Sequence, residues 1–437
     1  MERVYIKDIK NYVEETVKIA GFVQAIRGQS KIKFFILRDF TGTLQTIIKK
    51  ENGLIFDQIS VLTTESVVEV IGEVKLSKEA PNGVELLIKE FKILSIAEDL
   101  PIPVVLKGEN KESDQEKRLD YRWIDLRKDD KLLIFKAWTL LEQNFRNYFI
   151  ENNYTQIHSP KLIDAPSESG AEVFEVKYFD KKVYLAQSPQ FYKQMAMASG
   201  FERVFEIGPV FRAEPSFTSR HATEFTGFDI EVSYIRSEQD VISEIENFII
   251  RVLKDIKAKI GEEILEKYNR EVIVPQKPFP QIPLLEAKEI LNKLKVKSEK
   301  VDDLSPEEEK AISKYVKEKH NSQFLFLTNY PITVRPFYHM RREDNKKITK
   351  SFDLLYNGLE MLTGAQREHR ANILLEQAKE KGVNLQEIGF YLDFFRYGCP
   401  PHGGFGFGPA RFIMKLLDLD NIREATYLYR GVRRTKP

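Results

Sequence analysis

The sequence predicts an α+β protein: a small β-barrel at the N-terminus, then a larger domain with an antiparallel sheet flanked by helices. Three observations predict it. Residues 1–100 break into five short segments rich in β-branched and aromatic residues. Residues 131–151 carry apolar side chains at helical spacing. Residues 183–187, 203–212 and 224–234 alternate like strands with no long helix between them, which favours antiparallel pairing. A length of 437 residues fits two or three domains.

The N-terminal segments run at about 16–26, 33–38, 43–49, 67–75 and 84–94, with turn signals at Thr41-Gly42 and Pro81-Asn82-Gly83. A stretch with helical character, about 55–63, falls after the third. Five strands with a helix after the third is the plan of an OB-fold, a barrel that often binds single-stranded nucleic acid. The segment holds 14 basic and 15 acidic residues, so it is not a basic module. Pro101, Pro103 and a charged run within 101–130 read as a hinge. Leu133, Ala137, Leu140, Leu141, Phe145 and Phe149 give the next helix its apolar face, and Asn152-Asn153 stops it. A strand-like piece ends at Pro160. Residues 238–320 are helical and heavily charged, as in an inserted surface subdomain. Strand signals return at 323–328 and 351–361, and glycines crowd 403–408. The expected division is 1–100, the hinge 101–130, and a domain over 131–437.

Basic and acidic residues balance at 67 and 66, so no overall positive field coats nucleic acid non-specifically. The single cysteine, Cys399, excludes a disulfide framework, and no Cys/His group has zinc spacing. No secretory signal is visible at the N-terminus. No apolar run approaches the roughly 20 residues that span a bilayer. A reduced, cytoplasmic protein without membrane partners is expected.

The chemistry concentrates in VFEIGPVFRAEPSFTSRHATEFTGFDIE, residues 204–231. Arg212 and Glu214, two apart on a strand, point to one face. A guanidinium grips phosphate through two donors, and a nearby carboxylate can accept from an adenine amino group. A plain ion pair on a charged hairpin is the alternative.

The whole segment resembles motif 2 of class II aminoacyl-tRNA synthetases, with Phe211-Arg212-Ala213-Glu214, then Arg220-His221 and the returning Phe225. The helix at 131–151, followed by a strand ending at Pro160, is similar to motif 1, which builds the dimer interface in that class. Gly404-Phe405-Gly406-Phe407-Gly408, closed by Arg411, is similar to motif 3. Gln187-Ser188-Pro189-Gln190-Phe191-Tyr192-Lys193, Ser169-Gly170-Ala171 and Gly364-Ala365-Gln366-Arg367-Glu368-His369-Arg370 resemble aspartyl-tRNA synthetases of the archaeal and eukaryotic type. The resemblance runs from Ile19 to Pro437.

That resemblance implies an OB-fold anticodon-binding domain, a class II catalytic domain, ATP and Mg2+, and a homodimer. It assigns ATP contacts to Arg212, Ala213, Glu214, Arg220, His221, Ala222, Glu360, Gly408, Pro409, Ala410 and Arg411. Arg212 and Arg411 act in catalysis. Aspartate contacts fall to Glu168, Gln190, Phe191, Tyr192, Lys193, Arg212, Thr363 and Arg367. Lys193 and Arg367 are the expected partners of the substrate side-chain carboxylate, since a buried unpaired anion is costly. Glu360 and Thr363 are the implied metal ligands. Asp353 and Glu360, seven apart in one strand, would lie on opposite faces unless a bulge intervenes. Arg27, Phe34 and Gln45 match anticodon-reading positions, with Lys33 and Phe35 beside them. From periodicity alone Phe34 reads as barrel core.

Two departures stand out. Pro409-Ala410-Arg411 replaces the Glu-Arg usual in motif 3, and Tyr429-Arg430-Gly431 replaces the usual ending. Gln24 and Pro81 stand where members restricted to tRNA(Asp) tend to carry a Trp and a Lys. The chain is therefore expected to charge both tRNA(Asp) and tRNA(Asn) with L-aspartate. An asparaginyl-tRNA synthetase, which generally lacks the lysine at position 193, and a non-catalytic synthetase paralogue are the competing readings.

Overall fold

The computed structural model describes residues 1–28, 31–106, 111–167 and 172–437. They form two compact units, Met1–Lys128 and Asp129–Pro437.

In the first unit, strands β1 (Thr16–Gly28), β2 (Ile32–Asp39) and β3 (Gly42–Lys49) precede helix α1 (Gly53–Ser60), and β4 (Val67–Leu76) and β5 (Val84–Ser95) follow it. They close into a barrel of order β1-β2-β3-β5-β4. Alternation fills it: Val17, Ile19, Val23, Phe35, Leu37, Val68, Val70, Val74, Leu86 and Ile88 are all buried. A Cβ on Gly21 would lie 2.2 Å from the Arg38 carbonyl oxygen, so β1 and β2 cross there only because the residue is glycine.

The described residues of the segment expected as a hinge belong, through Lys128, to this unit. Within it lie the short helices α2 (Gln115–Asp120) and α3 (Arg122–Asp125). Ile102, Val104 and Ile124 bury a small apolar cluster. Arg122 Nη1 lies 2.6 Å from Asp125 Oδ2, both fully buried. Arg127 reaches Glu65 of the barrel at 3.2 Å. Charges in the run that read as a hinge are satisfying one another and the barrel.

The second unit opens with α4 (Asp129–Glu151) and β6 (Thr155–Gln156). Strands β7 (Leu162–Ile163), β8 (Glu175–Tyr178) and β9 (Lys181–Leu185) make a small separate sheet, followed by α5 (Gln190–Ala198). Then come the long hairpin β10 (Arg203–Phe211) and β11 (Glu224–Ser233), α6 (Glu238–Tyr268), β12 (Gln281–Pro283), α7 (Leu284–Lys293) and α8 (Pro306–His320). The chain continues through β13 (Phe324–Thr328), β14 (Ser351–Tyr356), β15 (Leu359–Gln366), α9 (Ala371–Glu380), α10 (Gly389–Arg396), β16 (His402–Phe407) and α11 (Pro409–Leu416).

The main sheet has the order β12-β13-β14-β15-β16-β11-β10-β6. Its six inner strands pair antiparallel, as expected, but both edge pairs, β12 with β13 and β10 with β6, are parallel. Helices α4 and α6 bury one face. Leu133, Ala137, Leu141, Phe145 and Phe149 meet Val241, Ile245, Phe248, Ile249, Val252 and Ile256 in one core.

Residues 238–320 are therefore not a separate surface subdomain. Helix α6 is 31 residues long, starts in a Ser237/Asp240 capping box and is a central core element. Apart from the buried Glu238 and Glu246, its charges sit on the outer side of an amphipathic helix. Only α7 and α8 form a satellite core with β13, around Leu291, Ile312, Val316 and Leu327.

Residues 351–361 are likewise not one strand. Asn357 and Gly358 both have positive φ, 48° and 77°, the geometry of a tight hairpin turn between β14 and β15. Met361 is an extra residue between the pairs Leu354–Leu362 and Leu355–Glu360. That bulge shifts the alternation, so Glu360 and Thr363 enter the same cleft.

Candidate active site

The second unit holds a cleft of about 340 Å³ over the sheet. Strands and the loops beside them supply Val210 from β10 and Arg212 just past it, Thr226, Gly227 and Asp229 from β11, Glu360 and Thr363 from β15, and Gly406 from β16. Helix α5 adds Gln190 and Lys193, one turn apart, and α11 adds Ala410 and Arg411. Six basic side chains line it: Lys193, Arg212, Arg220, Arg335, Arg367 and Arg411. Three carboxylates do so, Glu214, Asp229 and Glu360. A cavity with that excess invites anions.

The basic groups fall into two sets by their contacts. In the first, Lys193 Nζ lies 2.9 Å from Asp229 Oδ1, 3.4 Å from Glu231 Oε2 and 3.1 Å from the Phe405 carbonyl oxygen, to which it donates. Arg367 Nε donates to Glu231 Oε1 at 3.1 Å, and Nη2 donates to the Gly404 carbonyl at 3.2 Å. Arg367 Nη1 lies 2.8 Å from His339 Nε2. Burial opposes ionisation of Glu231, yet Arg367 and Lys193 outweigh it and hold its carboxyl below the ordinary value. Burial, and then Arg367, holds His339 well below the usual imidazole range, so its ring is neutral. Behind this set Gln194 joins Gln190 (2.9 Å), Tyr391 (3.0 Å) and His402 (2.9 Å).

In the second set, Arg411 Nη1 donates to the Glu360 carbonyl at 2.9 Å and to its Oε1 at 3.2 Å. Arg220 Nη1 lies 2.7 Å from Glu309 Oε2. His221 is held down to about 4, by burial first and then by the Arg411 and Arg220 charges. Arg212 stacks over the Phe225 ring at 5.6 Å, and among the described residues its buried Nε has no hydrogen-bond partner. A buried guanidinium donor with nothing to bind suits a phosphate or carboxylate oxygen.

Arg335 belongs to neither set: its Nη2 lies 2.6 Å from Asp353 Oδ2 and its guanidinium 3.7 Å from the centre of the Tyr330 ring. Among the described residues, Asp353 Oδ1 is buried without a hydrogen-bond partner. Glu360, Thr363 and Asp353 offer hard oxygens of the kind magnesium takes. Among the described residues no three acidic, His or Cys side chains make a complete metal cluster, so phosphate and water oxygens would have to finish one.

Most of the residues singled out in the sequence meet here: Gln190, Lys193, Arg212, Glu214, Arg220, His221, Ala222, Glu360, Thr363, Arg367, Gly408, Ala410 and Arg411 all line the cleft. Phe191 does not. It is 3% exposed and stacks on Tyr391 at 4.2 Å, on the core side of α5. Tyr192, Ala213 and Pro409 also lie off the lining. Glu168 falls outside the described residues. Sequence reasoning gave no role to Asp229, Glu231, Arg335 or His339. Asp229 and Glu231, two apart on β11, could have been found by the same-face rule applied to Arg212 and Glu214.

In the barrel, Arg27 pairs across from Phe34, and Ile36 from Gln45, so Arg27, Phe34 and Gln45 share one face of β1, β2 and β3. Phe35 is the core residue, 1% exposed, while Phe34 is only half-buried, against its periodicity reading. Gln45 donates to Glu85 at 3.1 Å. Lys33 turns away to α1, 4.0 Å from the Phe56 ring centre. Gln24 falls at a bulge in β1, and Pro81 is exposed before β5.

Residues 114–430 match the family model of class II tRNA synthetases (D, K and N), and residues 17–94 match the OB-fold nucleic acid binding domain. The barrel, the mixed sheet and the two-part basic cleft thus define a class II tRNA synthetase. The chain is 43% identical to Aspartate–tRNA(Asp/Asn) ligase of Aeropyrum pernix, covering 99% of each. It is 40% identical to Aspartate–tRNA(Asp) ligase of Pyrococcus abyssi, covering 96% of each. In structure it is similar to asparaginyl-tRNA synthetase from Pyrococcus horikoshii complexed with asparaginyl-adenylate, with a TM-score of 0.93 and 30% identity over 100% of both chains. The chain belongs to the aspartate–tRNA ligase family of class II synthetases.

Proposed function

We propose that this chain joins L-aspartate to the 3′ end of tRNA(Asp), and of tRNA(Asn), through an aspartyl-adenylate. The observation that carries the reading is the cleft in which Lys193 and Arg367 form one cationic set and Arg212, Arg220 and Arg411 another. An amino acid with an acidic side chain and a triphosphate are the two anions such a pair of sets accommodates. Glu231, fully buried behind the first set, fixes both cations in place. The aspartate side chain would replace part of the hydration or pairing of Lys193 and Arg367, where a neutral amide would gain far less.

The aspartate α-carboxylate attacks the α-phosphorus of ATP in line, forming a P–O bond as the bond to pyrophosphate breaks. Arg212 and Arg411 offset the charge that builds on the phosphate oxygens. Glu360 and Thr363 are suited to hold magnesium, which when bound supplies further neutralisation of the phosphates. The terminal ribose hydroxyl of tRNA then attacks the acyl carbon and AMP leaves. His221, neutral at pH 7, can accept or donate a hydrogen bond at the nucleotide without adding charge.

The face bearing Arg27, Phe34 and Gln45 suits anticodon bases, which stack on aromatic rings. Gln24 and Pro81 support acceptance of tRNA(Asn), and the relative from A. pernix is named for both tRNAs. The likeness to an asparaginyl enzyme supports a second reading, against which Lys193 stands. No helix of the described residues is long and apolar enough to cross a membrane. We take the enzyme to act in the cytoplasm as a homodimer through the region of α4. Charging of purified tRNA(Asp) and tRNA(Asn) transcripts with labelled aspartate tests the proposal. Both should accept it. Label on tRNA(Asp) alone would remove the dual specificity, and label on neither would remove the function.

A further inference from the structure

We propose that Glu309, in the first turn of α8, is a positioning residue that aims Arg220 into the ATP site. The inference rests on the reading of the cleft as an ATP site. Three neighbouring glutamates, Glu307, Glu308 and Glu309, open this helix, and the structure gives two of them distinct tasks. Glu308 closes the capping box with Ser305 and pairs with Lys288 at 2.8 Å. Glu309 turns toward the cleft. It is 6% exposed and meets Arg220, 89 residues away in sequence, at 2.7 Å.

A buried carboxylate is retained only where something compensates its lost hydration. Arg220 is the ion-pair partner of Glu309 among the described residues, and the partial positive charge at the start of α8 adds support. Burial nevertheless pushes the Glu309 carboxyl up to about 7, with Glu360 adding to the rise and Arg220 opposing it. A pair that only tied a loop to a helix could sit at the surface. This one is set near Glu360 and Arg411, whose charges both bear on Glu309.

Arg220 lies on the loop between β10 and β11, where a long side chain has many rotamers to lose. Glu309 takes Nη1, one edge of the guanidinium fork, while the side chain still lines the cleft. Such a hold leaves the fork oriented before a triphosphate arrives, so less freedom is lost on binding. Glu309 itself need not touch the nucleotide.

The test is aspartate-dependent ATP–pyrophosphate exchange by the full chain. Glu309→Ala should raise KM for ATP about tenfold, the size of one lost hydrogen bond to a charged group, with KM for aspartate within about twofold. Glu309→Gln, which can still accept from Arg220, should recover part of the loss. Arg220→Ala should be worse than Glu309→Ala, and the double variant no worse than Arg220→Ala alone. An unchanged KM for ATP in Glu309→Ala would overturn the proposal. So would a further loss when Glu309→Ala is added to Arg220→Ala. If the alanine variant fails to fold, Glu309→Gln with and without Arg220→Ala decides by the same comparison. Failure of the ATP reading shows differently, as absence of exchange by the unaltered chain with any amino acid.

Discussion

Arg367→Ala is expected to lower aspartate-dependent exchange to about 1% of the unaltered rate or less and to destabilise the second unit by about 3–5 kcal/mol. Both effects have one origin. Arg367 is 3% exposed and pairs with Glu231, which has no exposure at all, so its removal strands a carboxylate that Lys193 then shares with Asp229. The sign of the pH dependence follows. Glu231 has a folded value below its unfolded one, so it contributes stability above the unfolded value and loses it as pH falls. In Arg367→Ala that contribution disappears, and the loss of stability as pH falls below the ordinary carboxylate value of 4.5 should flatten. Arg367→Lys restores charge without the fork that also reaches His339 and Gly404, so it should recover stability more than activity. Urea unfolding and exchange kinetics separate the two.

Arg212→Ala should behave differently. The expected result is a fall in kcat for exchange of about 10²–10³-fold with stability changed by no more than about 1 kcal/mol. Arg212 is only partly buried, its Nε has no hydrogen-bond partner among the described residues, and the Phe225 ring is its main neighbour. Little in the folded protein depends on it, whereas charge building on the phosphate does. A loss below about tenfold, or a large stability loss, would assign Arg212 a structural role instead.

The barrel and the three motifs were legible because their signals are local. Val68, Val70 and Val74 alternate as a half-buried strand must, and Arg212 to Phe225 form one hairpin whose ends lie close in sequence. Phe191 was misplaced although spacing could have placed it: Gln190, Lys193, Gln194 and Met197 share one face of α5, and Phe191 falls beside it. The Asn357-Gly358 turn was equally readable and cuts the supposed strand in two. Helix α6 was taken for surface because its charged side was weighed above the recurrence of Val241, Ile245, Phe248, Val252 and Ile256. No local signal could pair Glu309 with Arg220, or His339 with Arg367, since those contacts exist only once distant elements pack. The same holds for Arg127 within 101–128, which meets Glu65, 62 residues away, whereas Arg122 and Asp125 lie three apart in one short helix and compensate each other locally.

The central claim is that Lys193 and Arg367 select an acidic amino acid for activation by ATP. Its most direct measurement is ATP–pyrophosphate exchange by the full chain with aspartate and asparagine compared at equal concentration. Exchange stimulated by aspartate, with asparagine weaker by a factor of at least about 100, is the predicted result. Exchange stimulated by asparagine and not by aspartate would contradict it.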